Sequence, residues 1–464
     1  LDHAVSPGEN SFPPNVRPGA KASGAYRLSG STTHGQTYQK TQLENGIQVI
    51  TETMPEVRSI SLGIIVRAGP YDETPARCGL GHVVEHMLFQ GTASRDAHQI
   101  ACLMDLAGGQ IGGFTARDYT CFHATVLDEH CPYALDLLGD LLLNSVFPPD
   151  RLEAEKSAIL REIAAGRDRP ADRAHDRLKA AAWPDHPLGR PIAGYPHTVA
   201  SLTREDAIYF VHENYLPGRA VIAAAGRLNH ADFVAQVRDA FWRMLGEGQP
   251  LPAAAPVHRA GVVVEHMPVS QAYFSLGFPA PPYARADRYG WHVLDSLVGG
   301  GISSRLVRRL REEQGLVYHI GSAYHAYRDA GLFVVEGATD PEQLTNVLRL
   351  TLTHLWELTS GARPVDDEEV WKAQTHIRRQ HLLAGENAAT RMSQLATQEL
   401  YFGRNLPANE VLAAIEAINS DSLQRLAATQ LGKALGGLTL AVVGPQAPEH
   451  YSAAGLEQVV GTFP

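Results

Sequence analysis

Glu52-Thr53-Met54-Pro55, followed by Ser61-Leu62-Gly63, is echoed far down the chain by Glu265-His266-Met267-Pro268 and Ser275-Leu276-Gly277. An apolar run ending in Gly226 (RAVIAAAG) is echoed in the same way by LTLAVVG ending in Gly444. Offsets of 213, 214 and 218 residues are far longer than a solenoid repeat and describe two copies of one folding unit. A chain of 464 residues also exceeds what one hydrophobic core supports, so two lobes are expected on size alone. Residues 1–38, rich in Pro, Gly, Ser and Thr without an apolar period, read as an extended arm. Residues 39–245 form the first copy, 246–257 (beginning GEGQPLPAAAP) a linker, and 258–464 the second copy.

Within the first copy, IQVITET and SISLGIIVRAG have the length and the Ile/Val content of strands, and residues 110–126 read as a long strand or hairpin. Helical patterns cover roughly 96–107, 131–145 and 150–167, and Ser201 is placed to cap a helix over LTREDAIYFVHENY. The fold class that follows is α+β: antiparallel sheets packed with helices in each of two lobes.

The chemistry centres on His82-Val83-Val84-Glu85-His86. Positions i, i+3 and i+4 share one face of a helix. Val83, Val84, Met87, Leu88 and Phe89 make the rest of that helix apolar, so its polar stripe is buried and needs a partner, for which a divalent metal serves. A catalytic zinc takes three protein ligands and keeps one open position. His82 and His86 supply two, and Glu85 lies between them on the same side, placed to act as a base. A carboxylate from another helix is the natural third, and LEAEKSAILREIAAG offers Glu153, Glu155 and Glu162. Glu155 and Glu162 are two helical turns apart on one face, so one can bind the metal while the other orients a ligand. The second copy reads His292-Val293-Leu294-Asp295-Ser296 at the matching place, with serine for the second histidine, so only the first copy is expected to hold metal. His123, His130, His212, His319 and His325 sit at no ligand spacing.

His-x-x-Glu-His with a glutamate 76 residues beyond His86, and another seven before that one, resembles the pitrilysin-type (inverzincin) zinc metallopeptidases, the family of mitochondrial processing peptidase. The second copy adds RLREEQGLVY, which carries Arg311 and Tyr318 at the spacing of members that act on their own, preceded by the Gly-rich GGGISSRL. The resemblance covers the chain from about residue 40 to its end. It implies one Zn2+ per chain on His82, His86 and Glu162, Glu85 as general base on zinc-bound water, and Glu155 behind a ligand. Arg311 and Tyr318 would reach across a chamber between the lobes toward the oxyanion and the peptide carbonyls. The strand after the metal helix would pair with the substrate backbone. Here Gly112-Gly113 stand where relatives read Asn-Ala, so only the pairing mode carries over.

The expected function is zinc-dependent endopeptidase action on peptides or unfolded segments. The alternatives are a catalytic subunit that needs a different, degenerate partner chain, or a mainly binding or scaffold subunit. Family chains of this length pair, so a homodimer, or a heterodimer with a related chain, is expected. A net charge of -10 without a Lys/Arg block argues against nucleic acid or an anionic membrane as partner, and no apolar run is long enough to span a bilayer. The chain begins at Leu1, as a processed chain would, and an exported or periplasmic location is expected over a cytoplasmic one. Cys78, Cys102, Cys121 and Cys131 form no Cys-x-x-Cys pair and read as buried free thiols, the alternative being a disulfide among them in an oxidising compartment.

Overall fold

The structure, a computed structural model, describes residues 37–246, 255–447 and 450–462. The expected arm up to residue 36 and most of the expected linker, 247–254, lie outside the described residues. Eleven strands among the described residues form two sheets. The first contains β1 (Thr37–Gln42), β2 (Gln48–Thr53), β3 (Ser59–Val66), β4 (Gln110–Thr115), β5 (Thr120–Leu127) and β6 (Ala220–Gly226), in the order β1-β2-β6-β3-β5-β4. The second contains β7 (Gly261–His266), β8 (Ala272–Ala280), β9 (His319–Ala326), β10 (Gly331–Thr339) and β11 (Thr439–Gly444), in the order β7-β11-β8-β10-β9. With β1 set aside, the two orders are the same, as duplication requires.

Each sheet is antiparallel apart from one pair, β2 with β6 and β7 with β11. The last strand of each copy returns after a long helical excursion, and only a connection of that kind can bring two strands in parallel. The repeated punctuation reappears as repeated geometry. Met54 N–H donates to Gly226 O at 2.7 Å, and Met267 N–H donates to Gly444 O at 2.8 Å.

One face of each sheet packs on helices of its own half; the other takes a helix from the opposite half. Helix Pro170–Ala182 lies across β7, β8 and β11, while helix Ala388–Phe402 lies across β2, β3 and β6. The glycine of each Ser-Leu-Gly makes room for this exchange. A Cβ on Gly63 would fall within 2.4 Å of Met392 Sδ, and one on Gly277 within 2.9 Å of Leu178 Cδ1. The glutamate at the head of each repeat ties the same helix down. Glu52 holds Arg391 with both carboxylate oxygens, the Nε bond at 2.8 Å, and Glu265 holds Arg173 at 2.8 Å as well as Arg177. The echoed residues are therefore the seat for a helix of the other copy.

Two local expectations change. Ser201 ends the short helix Pro196–Ser201, and the next helix is capped by Thr203, whose side chain accepts from Asp206 N–H while the Asp206 carboxylate accepts from Thr203 N–H. That reciprocal capping box outcompetes a cap two residues earlier, where Leu202 is extended. Cys102 is exposed, on the solvent side of helix Ala97–Leu106, whereas Cys78, Cys121 and Cys131 are buried and free as expected.

Candidate metal centre

The helix that carries the histidines, Leu80–Leu88, starts from Gly79 in the left-handed region at φ 95°, where a Cβ would come within 2.8 Å of Ala193 O. Its first amides are taken by a side chain six residues upstream. Glu73 accepts from Gly79 N–H and Gly81 N–H, both at 2.8 Å, and is itself buried. A carboxylate there satisfies orphan donors and complements the positive helix end. Burial pushes its pKa up to about 7, against the pull of the two amides and of Arg190. Sequence reasoning missed Glu73 because it lies outside the helix, with an irregular turn between them.

Val83, Val84, Met87 and Leu88 are buried as the apolar pattern requires, and the polar stripe faces helix Pro149–Arg167. Ligand atoms of His82, His86 and Glu162 all lie within 4.8 Å of one another. Glu162 Oε2 stands 3.8 Å from His82 Nε2 and 3.9 Å from His86 Nε2, too far for hydrogen bonds. Those spacings are slightly wider than the edge of about 3.4 Å in a tetrahedron with zinc arms of about 2.1 Å. The three groups fit a divalent cation with modest tightening.

Two turns up the same helix, Glu155 Oε2 meets His86 Nδ1 at 2.9 Å. That contact assigns the proton to Nδ1 and leaves the Nε2 lone pair free for a metal. His82 has no such partner; its Nδ1 is buried and makes no hydrogen bond. Burial first, then the neighbouring His86, pushes the His82 pKa down to about 4, which keeps that imidazole neutral and able to ligate at neutral pH. Glu153, the other candidate in the sequence, is exposed and bonded to Lys156 at 2.9 Å, away from the histidines.

Glu85 is half-buried, and burial raises its pKa, as suits a group that must accept and return a proton. Thr115, at the end of β4, donates its hydroxyl to Glu85 Oε2 at 2.6 Å. A Cβ on Gly113 would approach both Glu85 Cγ and Phe122 Cδ1 to 3.2 Å, so a glycine there lets β4 pass closely over the helix. Nothing crowds Gly112. β4 is the edge strand of its sheet and leaves one side of its backbone unpaired. Thr115 was also missed, because its proximity to Glu85 depends on how the hairpin folds back over the helix.

Arg311 and Tyr318 do come together: the guanidinium lies 5.7 Å from the ring centroid. Tyr318 is 80% exposed. Among the described residues, no hydrogen bond, ion pair or ring contact joins either residue to His82, Glu85, His86, Glu155 or Glu162. A cleft of about 580 Å³ opens beside Glu162 and reaches Ala323, His325 and Glu336 of the second sheet, so the end of helix Pro149–Arg167 and the second sheet share a cavity wall.

Residues 48–195 match the family model described as Insulinase (Peptidase family M16), and residues 201–376 match the one described as Peptidase M16 inactive domain. An uncharacterized zinc protease of Streptomyces coelicolor is 35% identical over 88% of this chain and 90% of its own length. One of Bacillus subtilis is 32% identical over 83% and 93%. Among solved structures, a protease from Helicobacter pylori shares the fold with a TM-score of 0.82 at 18% identity, covering 88% of this chain and all of that one. A peptidase M16 inactive domain from Pseudomonas fluorescens gives 0.81 at 21% identity, covering 89% and 98%. With relatives this similar along nearly the full length of both sequences, the chain belongs to peptidase family M16.

Proposed function

We propose that this chain is a zinc-dependent endopeptidase that cuts peptides or unfolded segments in a chamber between its two lobes. The observation that carries the reading is the convergence of His82, His86 and Glu162, with Glu85 on the same helix beneath an unpaired strand edge. The names of the relatives, zinc proteases, point the same way. His82, His86 and Glu162 would hold a zinc ion, which when bound would supply Lewis acidity and lower the pKa of a water toward neutral. Glu85 takes the proton from the attacking water and hands it to the leaving amine. Glu155 holds the His86 ring in orientation through Nδ1, and Thr115 holds Glu85. The substrate backbone adds to the free edge of β4, which sets the scissile carbonyl above the helix. Arg311 and Tyr318 meet the carbonyl oxygens from the other side of the chamber.

A second reading is favoured by the exposure of Tyr318. In it the chain is the catalytic subunit of a pair, a homodimer or a heterodimer with a related chain, whose second member closes the chamber. In either reading an exported or periplasmic location is proposed. Glu85→Gln should keep one zinc per chain by elemental analysis while cleavage of a mixed peptide pool drops by about 10²–10⁴-fold; undiminished cleavage would remove Glu85 from the mechanism. Mass in solution, with and without a candidate partner, separates the two readings.

A further inference from the structure

Helix Asp367–Gly385 repeats helix Pro149–Arg167 end for end: both have 19 residues, and both ends are offset by the same 218 residues that separate Gly444 from Gly226. On that offset Glu155 becomes Ala373 and Glu162 becomes Gln380; the facing helix repeats at an offset of 210, which makes His86 Ser296. Between Ser296 and Ala373, the counterparts of His86 and Glu155, lies a cavity of about 270 Å³; it adjoins the place that matches the candidate metal centre, and the counterparts of His82 and Glu162 do not line it. Its volume equals roughly nine waters at ~30 Å³ each, room for a small ion and its solvent.

The pocket is basic. Both carboxylates of the cation site are gone, and Arg308, Lys372 and Arg379 line the cavity instead, the last two on the turns next to Ala373 and Gln380. The one acidic wall residue, Glu369, is consumed by a bidentate pair with the buried Arg305, at 2.8 and 2.6 Å. Lys372 has Glu368 at 2.6 Å, and Glu313 stands 3.7 Å from Arg308 Nε; neither carboxylate residue lines the cavity. Two wall groups have no hydrogen-bond partner: the hydroxyl of Ser304, a residue only 4% exposed, and the buried Arg308 Nε. Both are donors, and buried donors without acceptors are costly to keep.

We infer that the pocket between Ser296, Ser304 and the basic face of helix Asp367–Gly385, beside the degenerate counterpart of the cation site, binds a tetrahedral oxyanion of the phosphate class. An oxyanion supplies acceptors for Ser304 Oγ and Arg308 Nε and the negative charge that Lys372 and Arg379 complement. The site stands apart from the proposed peptidase chemistry and is testable without it.

The test is equilibrium dialysis of the zinc-loaded full chain against radiolabelled inorganic phosphate at constant ionic strength, with Ser304→Ala and a Lys372→Met/Arg379→Met double variant in parallel. Saturable binding of one phosphate is expected, weakened several-fold in Ser304→Ala and at least about tenfold in the double variant. The thermal melt of each variant without phosphate should match the parent. Absence of saturable binding up to about 10 mM overturns the inference. So does binding that survives undiminished in a folded double variant, which places the ion elsewhere, or equal displacement by acetate at matched concentration, which makes the pocket a carboxylate site.

Discussion

In the first half, helix Leu80–Leu88 turns His82 and His86 toward Glu162, with Glu85 bonded to Thr115 of the edge strand. The corresponding helix of the second half, Arg288–Asp295, keeps the carboxylate bonded to its own edge strand: Ser322 of β9 donates to Asp295 Oδ1 at 2.5 Å. There the similarity stops. Ser296 stands for the second histidine, Ala373 and Gln380 stand for the two glutamates, and His292 packs edge-on against Tyr324, 5.1 Å away. The residues that seat the exchanged helices, by contrast, are kept in both halves. A duplicated fold thus holds on to the groups that seat the helices closing its sheets and lets the groups of the candidate ion site diverge.

The largest expected effect tests the divergence. Glu162→Gln should abolish zinc binding, read as metal per chain after dialysis, and cleavage with it. Ser296→His should leave the content at one zinc per chain, since Ala373 and Gln380 offer no carboxylate; a second equivalent would show that one imidazole suffices to restore the site.

Next comes the seat. Arg391→Ala leaves Glu52 buried without its guanidinium and should cost about 3–5 kcal/mol in denaturant unfolding. Arg173→Ala should cost much less, because Arg177 still holds Glu265 in a more exposed pair. Equal losses would mean that the two seats do not differ as their burial implies. Gly63→Ala and Gly277→Ala should each cost about 1–3 kcal/mol by forcing Met392 or Leu178 aside, with neither change altering zinc content.

The pH-dependent effect concerns the carboxylates at the helix starts, which have opposite pH signs. Burial raises Glu73 to about 7, so between the unfolded value of about 4.3 and pH 7 the folded chain keeps a proton that the unfolded chain has lost. Its contribution is fully present below that range and declines as pH rises, by at most about 1.4 kcal/mol per pH unit. Burial pulls Asp287 upward too, but hydrogen bonds from Arg285 and Gln430 outweigh it and hold that group below the usual carboxylate range. Its contribution is present above the unfolded value and lost as pH falls. Glu73→Gln should flatten the stability profile above about pH 4.3, and Asp287→Asn should flatten it below about pH 3.9; the same slope in both variants would contradict the assignment.

Much of this was legible before any coordinates. Strand and helix periods depend on neighbouring residues, and the ligand pattern spans one turn, so His82, Glu85 and His86 declare themselves within five letters. Glu155 and Glu162 are also in phase on one helix, though nothing local decides which takes the metal and which takes His86 Nδ1. The long repeat announces two copies without saying why Glu52, Gly63 and their echoes recur.

That reason exists only in three dimensions, where each glutamate and glycine meets a helix more than 80 residues away in sequence. The Glu73 cap and the Thr115 bond are of the same kind, made across an irregular turn and a hairpin whose path no periodicity encodes. Local propensity writes which segments are helices and strands and which faces are apolar. Packing alone settles which distant charge ends beside which amide, which helix closes which sheet, and which basic side chains gather beside the degenerate counterpart of the metal site.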